Sequence, residues 1–209
     1  VLRKDDVAMP KIVNGSNFSV ELKADGTVWT WGLNSSGQLG TGDTSNRYKP
    51  TQISISNVID VAAGDTHALL LTKDGEVYSF GSNGYNQLGR TGTTNVPMKI
   101  EGLEDIVEIA ATTYGSMALN NQGQVYTWGY NGKGQIGDET TVNKATPIKI
   151  KLDGILTIDG FNQTSAAVSN DGELYVWGYN RYGQLGLGNT TDKYSPTRVS
   201  SLTGIVDVA

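Results

Sequence analysis

Short apolar runs alternate with polar, glycine-rich connections along the whole chain, and no run is long enough, or spaced at the right period, to be a helix. The pattern is clearest in the second quarter. Val58-Ile59-Asp60-Val61-Ala62-Ala63-Gly64 is followed by Ala68-Leu69-Leu70-Leu71-Thr72 and then by Val77-Tyr78-Ser79-Phe80, in which β-branched and aromatic residues alternate with period two. These runs predict three strands, A, B and C. Strand C recurs as Val28-Trp29-Thr30-Trp31, Val125-Tyr126-Thr127-Trp128 and Leu174-Tyr175-Val176-Trp177. Before each strand C stands Asp25-Gly26, Asp74-Gly75, Gln122-Gly123 or Asp171-Gly172, and Asp-Gly between apolar runs predicts a type I′ hairpin. After each strand C a loop leads to Pro50, Pro97, Pro147 or Pro196, each opening a Pro-x-x-Ile/Val segment. Proline is tolerated at the first position of a strand, so this segment is expected to be strand D.

The pairs Trp31-Gly32, Phe80-Gly81, Trp128-Gly129 and Trp177-Gly178 are separated by 49, 48 and 49 residues, a period characteristic of propellers and solenoids. Four antiparallel strands per period predict an all-β propeller of four-stranded blades. The repeats run over approximately 9–57, 58–105, 106–154 and 155–204, and 205–209 repeats the opening of strand A. A lone blade cannot bury both of its faces, so packing between neighbours must carry the stability. The aromatic residues of strand C, including all four tryptophans, are the expected packing residues.

After strand C the chain reads Trp31-Gly32-Leu33-Asn34-Ser35-Ser36-Gly37-Gln38-Leu39-Gly40, and Asn83, Gln87, Asn131, Gln135, Asn180 and Gln184 recur in the same register. The second repeat adds Ala62-Ala63-Gly64-Asp65-Thr66-His67-Ala68-Leu69. These blocks resemble the repeat of the regulator of chromosome condensation family over nearly the whole chain. The resemblance implies a seven-bladed ring with binding surfaces on its faces, in a family that includes a nucleotide exchange factor, a β-lactamase inhibitor and an ultraviolet sensor. Physically, the glycines supply positive φ, while the Asn and Gln amides are expected to satisfy backbone groups the loops leave unpaired.

Composition narrows the function. With no cysteine there is no disulfide, thiol nucleophile or thiolate metal site. With 21 acidic against 16 basic residues, nucleic acid is not an expected partner. No stretch approaches the roughly 20 apolar residues of a membrane span, so no membrane partner is expected either. His67 is the only histidine and has no recognisable nucleophile motif beside it, so the expectation is a non-enzyme without cofactor or metal. The Asn/Thr/Gly/Ser-rich loops point to a bacterial surface or secreted protein.

In an up-and-down meander the A–B and C–D connections emerge on one face. There the position of His67 varies, being Phe18, His67, Gly115 and Thr164 in the four repeats, and such variation suggests a position the frame does not need. Asp65, Tyr114 and Phe161 lie nearby with Asn17 and Asn162, and the C–D loops add Tyr85, Tyr130, Lys133, Tyr179, Arg181 and Tyr182. Tyr and Arg among Asn, Ser and Gly form the chemistry of a protein-binding surface. The expected function is therefore a non-catalytic scaffold for a protein partner, with a carbohydrate surface as the alternative, or an exchange-factor or inhibitor role by family analogy. Seven blades at this period need roughly 340 residues, so the four repeats are expected to form an open arc or a fragment of a larger ring, with blade edges available for self-association. A closed four-bladed ring is the runner-up.

Overall fold

The computed structural model describes residues 7–208, which form four antiparallel sheets and no helix. The first blade is β1 (Lys11–Asn14), β2 (Phe18–Leu22), β3 (Val28–Gly32) and β4 (Arg47–Gln52). The second is β5 (Val58–Ala63), β6 (His67–Thr72), β7 (Val77–Gly81) and β8 (Met98–Lys99). The third is β9 (Ile106–Ala111), β10 (Gly115–Asn120), β11 (Val125–Gly129) and β12 (Lys144–Lys149). The fourth is β13 (Ile155–Phe161), β14 (Thr164–Ser169), β15 (Leu174–Gly178) and β16 (Lys193–Arg198). Within each sheet the strands follow chain order, with the first strand at the axis and the fourth at the rim.

Alternation along the strands sends one set of side chains to each neighbour. Val20, Leu22 and Val28 of the first blade pack with Val61, Leu70 and Phe80 of the second. Leu69, Leu71 and Val77 then meet Ile109, Ala118 and Trp128, while Met117, Leu119 and Val125 meet Ile158, Ala167 and Trp177. The core is thus a series of seams between blades. Trp128 and Trp177 are fully buried in these seams, whereas Trp29 and Trp31, on the outer side of the first blade, are half-buried.

Side-chain hydrogen bonds close the second and third seams. Trp128 Nε1 and Ser116 Oγ both donate to the carbonyl of Gln87 in the preceding blade, at 3.0 and 2.8 Å. Trp177 Nε1 and Ser165 Oγ do the same to Gln135, at 2.9 and 3.0 Å. The second blade carries Ala68 and Phe80 at these positions, so both donors are replaced together by apolar groups. A glycine receives each aromatic: Gly40 faces Phe80, Gly89 faces Trp128 and Gly137 faces Trp177, while a Cβ on Gly186 would meet nothing within 4 Å. Among the described residues the fourth blade therefore forms no fourth seam, and the four blades form an open arc.

Two local expectations are corrected. Of each Asp-Gly or Gln-Gly pair only the glycine has positive φ, 76° at both Gly26 and Gly75, whereas a type I′ turn requires it at both central residues. Gly26 N donates to Lys23 O and Lys23 N to Thr27 O, so the glycine follows the turn as a bulge residue. Pro50, Pro147 and Pro196 do not open strand D but stand fourth in six-residue strands; only Pro97 directly precedes its strand. The register shifts between Thr30 and Gly32, and at the matching places in the third and fourth blades, so each of these prolines sits in an irregularity of a rim strand where no ladder amide is needed.

Candidate functional site

The C–D loops are built around one asparagine each, buried at Asn34, Asn131 and Asn180 and half-buried at Asn83. Asn131 Oδ1 accepts from Ile136 N at 3.0 Å, while its Nδ2 donates to Asp138 Oδ1 and to the carbonyls of Thr140 and Val142. Asn34 and Asn180 repeat the arrangement, and Asn83 keeps a shorter version with Leu88 N and Arg90 O. A glutamine fixes the tip. Gln38, Gln87, Gln135 and Gln184 accept through Oε1 from the backbone N–H of Ser36, Tyr85, Lys133 and Tyr182, at 2.8 to 3.0 Å. The amide scaffold anticipated from the sequence is present, and it holds the backbone of three candidate surface residues directly.

Between these tips the A–B turns are stitched from blade to blade. Ser16 N donates to Asp65 O, Asp65 N to Thr113 O and Thr113 N to Asn162 O, at 3.1, 3.1 and 2.8 Å. The turns surround an axial depression of about 570 Å³ whose rim includes Asp65, Tyr114, Phe161 and Asn162. Phe161 is 79% exposed at this rim.

Tyr114 continues the rim outward. Its ring lies 4.8 Å from Tyr85 and 6.3 Å from Tyr130, and Tyr85 and Tyr130 are 5.1 Å apart, so three loops from two blades meet in one aromatic cluster. Farther along, Tyr179 and Tyr182 meet edge to face at 6.1 Å. Lys133 Nζ reaches across the seam to within 5.4 Å of the Tyr179 ring and 3.9 Å of Asp192 Oδ2. Tyr182 is 80% exposed, Tyr85 is 42% exposed and Arg181 is exposed, so the stripe presents both ring area and cationic donors.

Phe18 and His67 do not belong to this surface. They are 3% and 0% exposed, each folded over a glycine three residues earlier, Gly15 or Gly64, where any Cβ would collide with the ring. Gly115 instead faces Thr112, and the Thr164 hydroxyl bonds to Phe161 O at 2.8 Å. In the first two repeats the glycine three residues back leaves room for the ring, and in the third Thr112 stands where that glycine was while the position itself is glycine. The paired glycines Gly15 and Gly64 are the sequence signal that these rings are packed.

An arc of four-stranded blades, each seam seating an aromatic ring on a glycine and each blade topped by an asparagine-centred loop, defines a repeat propeller. The family described as the regulator of chromosome condensation (RCC1) repeat matches residues 25–71, 74–119, 122–158 and 171–209, and this chain belongs to it. Human E3 ubiquitin-protein ligase HERC2 is 41% identical over 69 residues, covering 32% of this chain and 1% of that protein. Human WBSCR16 has a solved structure with a TM-score of 0.83 at 29% identity, covering 92% of this chain and 53% of that one. Yeast RCC1 (Prp20), solved with Kap60, gives 0.82 at 24% identity over 90% and 48%. The chain thus spans about half the length of these two structures and a small fraction of the ligase.

Proposed function

We propose that this chain is a non-catalytic binding scaffold whose loop face, from the axial depression to the Tyr179–Tyr182 pair, takes a protein partner. One observation carries the proposal: Tyr114 is shared by the rim of the depression and the Tyr85–Tyr130 cluster, which makes the two features one continuous surface. Rigid tyrosines offer amphipathic contact area at low entropic cost, and the glutamine-held loop tips reduce the ordering cost further. Yeast RCC1 (Prp20), which shares this fold, has been solved bound to Kap60, a precedent for a protein with this fold having a protein partner.

The test is capture from protein and glycan pools by the wild-type chain beside a Tyr130→Ala/Tyr179→Ala/Tyr182→Ala variant of verified fold. A protein retained by the wild type and lost by the variant supports the proposal. Equal retention by both contradicts the choice of face, and a glycan ligand in place of a protein turns the scaffold into a carbohydrate-binding module.

A further inference from the structure

One seam of the loop face supplies its own cation and its neighbour does not. Tyr85 and Lys133 hold the same place in successive loops, two residues before Gln87 and Gln135, and each leans on the tyrosine that directly follows β11 or β15 in the next blade. Tyr85 meets the Tyr130 ring at 5.1 Å, and Lys133 Nζ lies 5.4 Å from the Tyr179 ring. Asp192 Oδ2, 3.9 Å from the same Nζ, completes that arrangement, while its Oδ1 accepts from Asn180 N at 2.7 Å. Between the second and third blades the matching place has more ring area and no cation. Tyr114 joins Tyr85 and Tyr130 there, and among the described residues no lysine or arginine stands over any of the three rings. A carboxylate adjoins them. Asp65 N donates to Thr113 O, beside Tyr114, and Thr66 O accepts from Ser82 N on the loop that carries Tyr85, which sets Asp65 between the roots of two of the rings. Asp65 is half-buried, is the one charged residue among the described residues lining the axial depression, and its carboxylate has no ion pair or hydrogen bond among the described residues.

We propose that the Tyr85, Tyr114 and Tyr130 rings with Asp65 form a subsite for an arginine side chain of the protein partner. The inference rests on the loop face being the binding surface and adds the group that this part of it receives. Charge complementarity carries it, because ring faces attract a cation and the adjoining carboxylate has no counter-ion in the described chain. Lys133, one seam away, shows that a ring and a carboxylate of these loops hold a cation where the chain supplies one. Arginine fits better than lysine for two reasons. The Tyr85 and Tyr114 rings lie 4.8 Å apart and only 37° from parallel, a broad face for a planar guanidinium whose forked donors also match a carboxylate. A guanidinium is also more weakly hydrated than an ammonium, so it loses less on leaving water. The net charge of −5 favours the approach of a basic partner.

The experiment is an amide NMR titration of the full chain with N-acetylarginine amide, beside the lysine analogue and the citrulline analogue, which keeps the shape of arginine without its charge. Arginine is expected to give saturable shifts in the millimolar range at the amides of Asp65, Thr113, Tyr114 and Tyr85, lysine to bind severalfold more weakly, and citrulline to give no saturable shift. Asp65→Asn, which keeps the size of the side chain, and Tyr114→Leu are each expected to weaken arginine severalfold, with shifts elsewhere in the spectrum showing that the fold is kept. Absence of saturable shifts at these amides, equal binding of citrulline, or arginine binding unchanged in Asp65→Asn overturns the proposal. The titration uses no partner, so its outcome is separate from that of the capture experiment. A partner lost by the Tyr130→Ala/Tyr179→Ala/Tyr182→Ala variant but bound equally by wild type and Asp65→Asn leaves the loop face as the binding surface and overturns the arginine subsite alone.

Discussion

His67 Nε2 lies 3.0 Å from Ser116 Oγ, so the single imidazole of the chain bridges the second and third blades from inside their seam. The Ser116 hydroxyl donates to Gln87 O, which leaves its lone pair to receive the Nε2–H of a neutral ring. His67 Nδ1 has no hydrogen-bond partner, so the ring is held as a packed, neutral bridge. Burial pushes its pKa from 6.5 down to about 4, against a weaker upward pull from the Gly115 backbone.

A depressed histidine pKa makes the unfolded chain bind a proton before the native one does. The contribution is therefore complete above about pH 6.5 and is lost progressively as pH falls towards 4, reaching on the order of 3 kcal/mol. His67→Phe, which places at this position the ring found at Phe18, is predicted to flatten the pH dependence of stability between pH 6.5 and 5. Urea unfolding at several pH values checks this; an unchanged slope contradicts it.

The seam bonds give a second prediction. Ser165→Ala loses one donor to Gln135 O while Trp177 keeps the other, so its cost is about 0.5–1.5 kcal/mol. Gly137→Ala adds a Cβ 2.9 Å from Trp177 Nε1 at a φ of 83°, and is expected to cost roughly 2–4 kcal/mol. Chemical unfolding of the two variants should rank them in that order.

Gln184 is exposed and its Oε1 bonds to Tyr182 N at 3.0 Å, so Gln184→Ala is predicted to change global stability by less than about 1 kcal/mol. Its effect is local. Hydrogen exchange at Tyr182 should accelerate at least tenfold while the amides of β14 (Thr164–Ser169) and β15 (Leu174–Gly178) stay protected.

Much of the fold was legible in the sequence because repetition puts the same residue types in the same register four times. The period, the strands A to C and the amide-centred loops follow from it. The turn type and the proline positions did not, since an Asp-Gly pair suits both a type I′ turn and a bulged one, and a proline reads alike at a strand start and in a rim-strand irregularity. The burial of Phe18 and His67 is hidden in the sequence for another reason. Variation at one position of a repeat reads as freedom, whereas Gly15 and Gly64 make room for the two rings. The convergence of Tyr85, Tyr114 and Tyr130 joins residues 45 positions apart, and the alignment of repeats alone does not show how neighbouring loops lean together.

For the binding face, Tyr114→Ala is predicted to weaken an identified partner tenfold or more, because truncating a central aromatic removes both the rim and the cluster. Phe161→Ala, at the far side of the depression, should cost less. Titration calorimetry of both variants checks the order.

The most direct measurement is a hydrogen-exchange footprint of the chain with its captured partner bound. Protection is predicted at the loop tips around Tyr85, Tyr130 and Tyr182 and at the turns through Asp65, Thr113 and Asn162. Protection confined to the opposite face, around Gly26, Gly75, Gly123 and Gly172, would contradict the account.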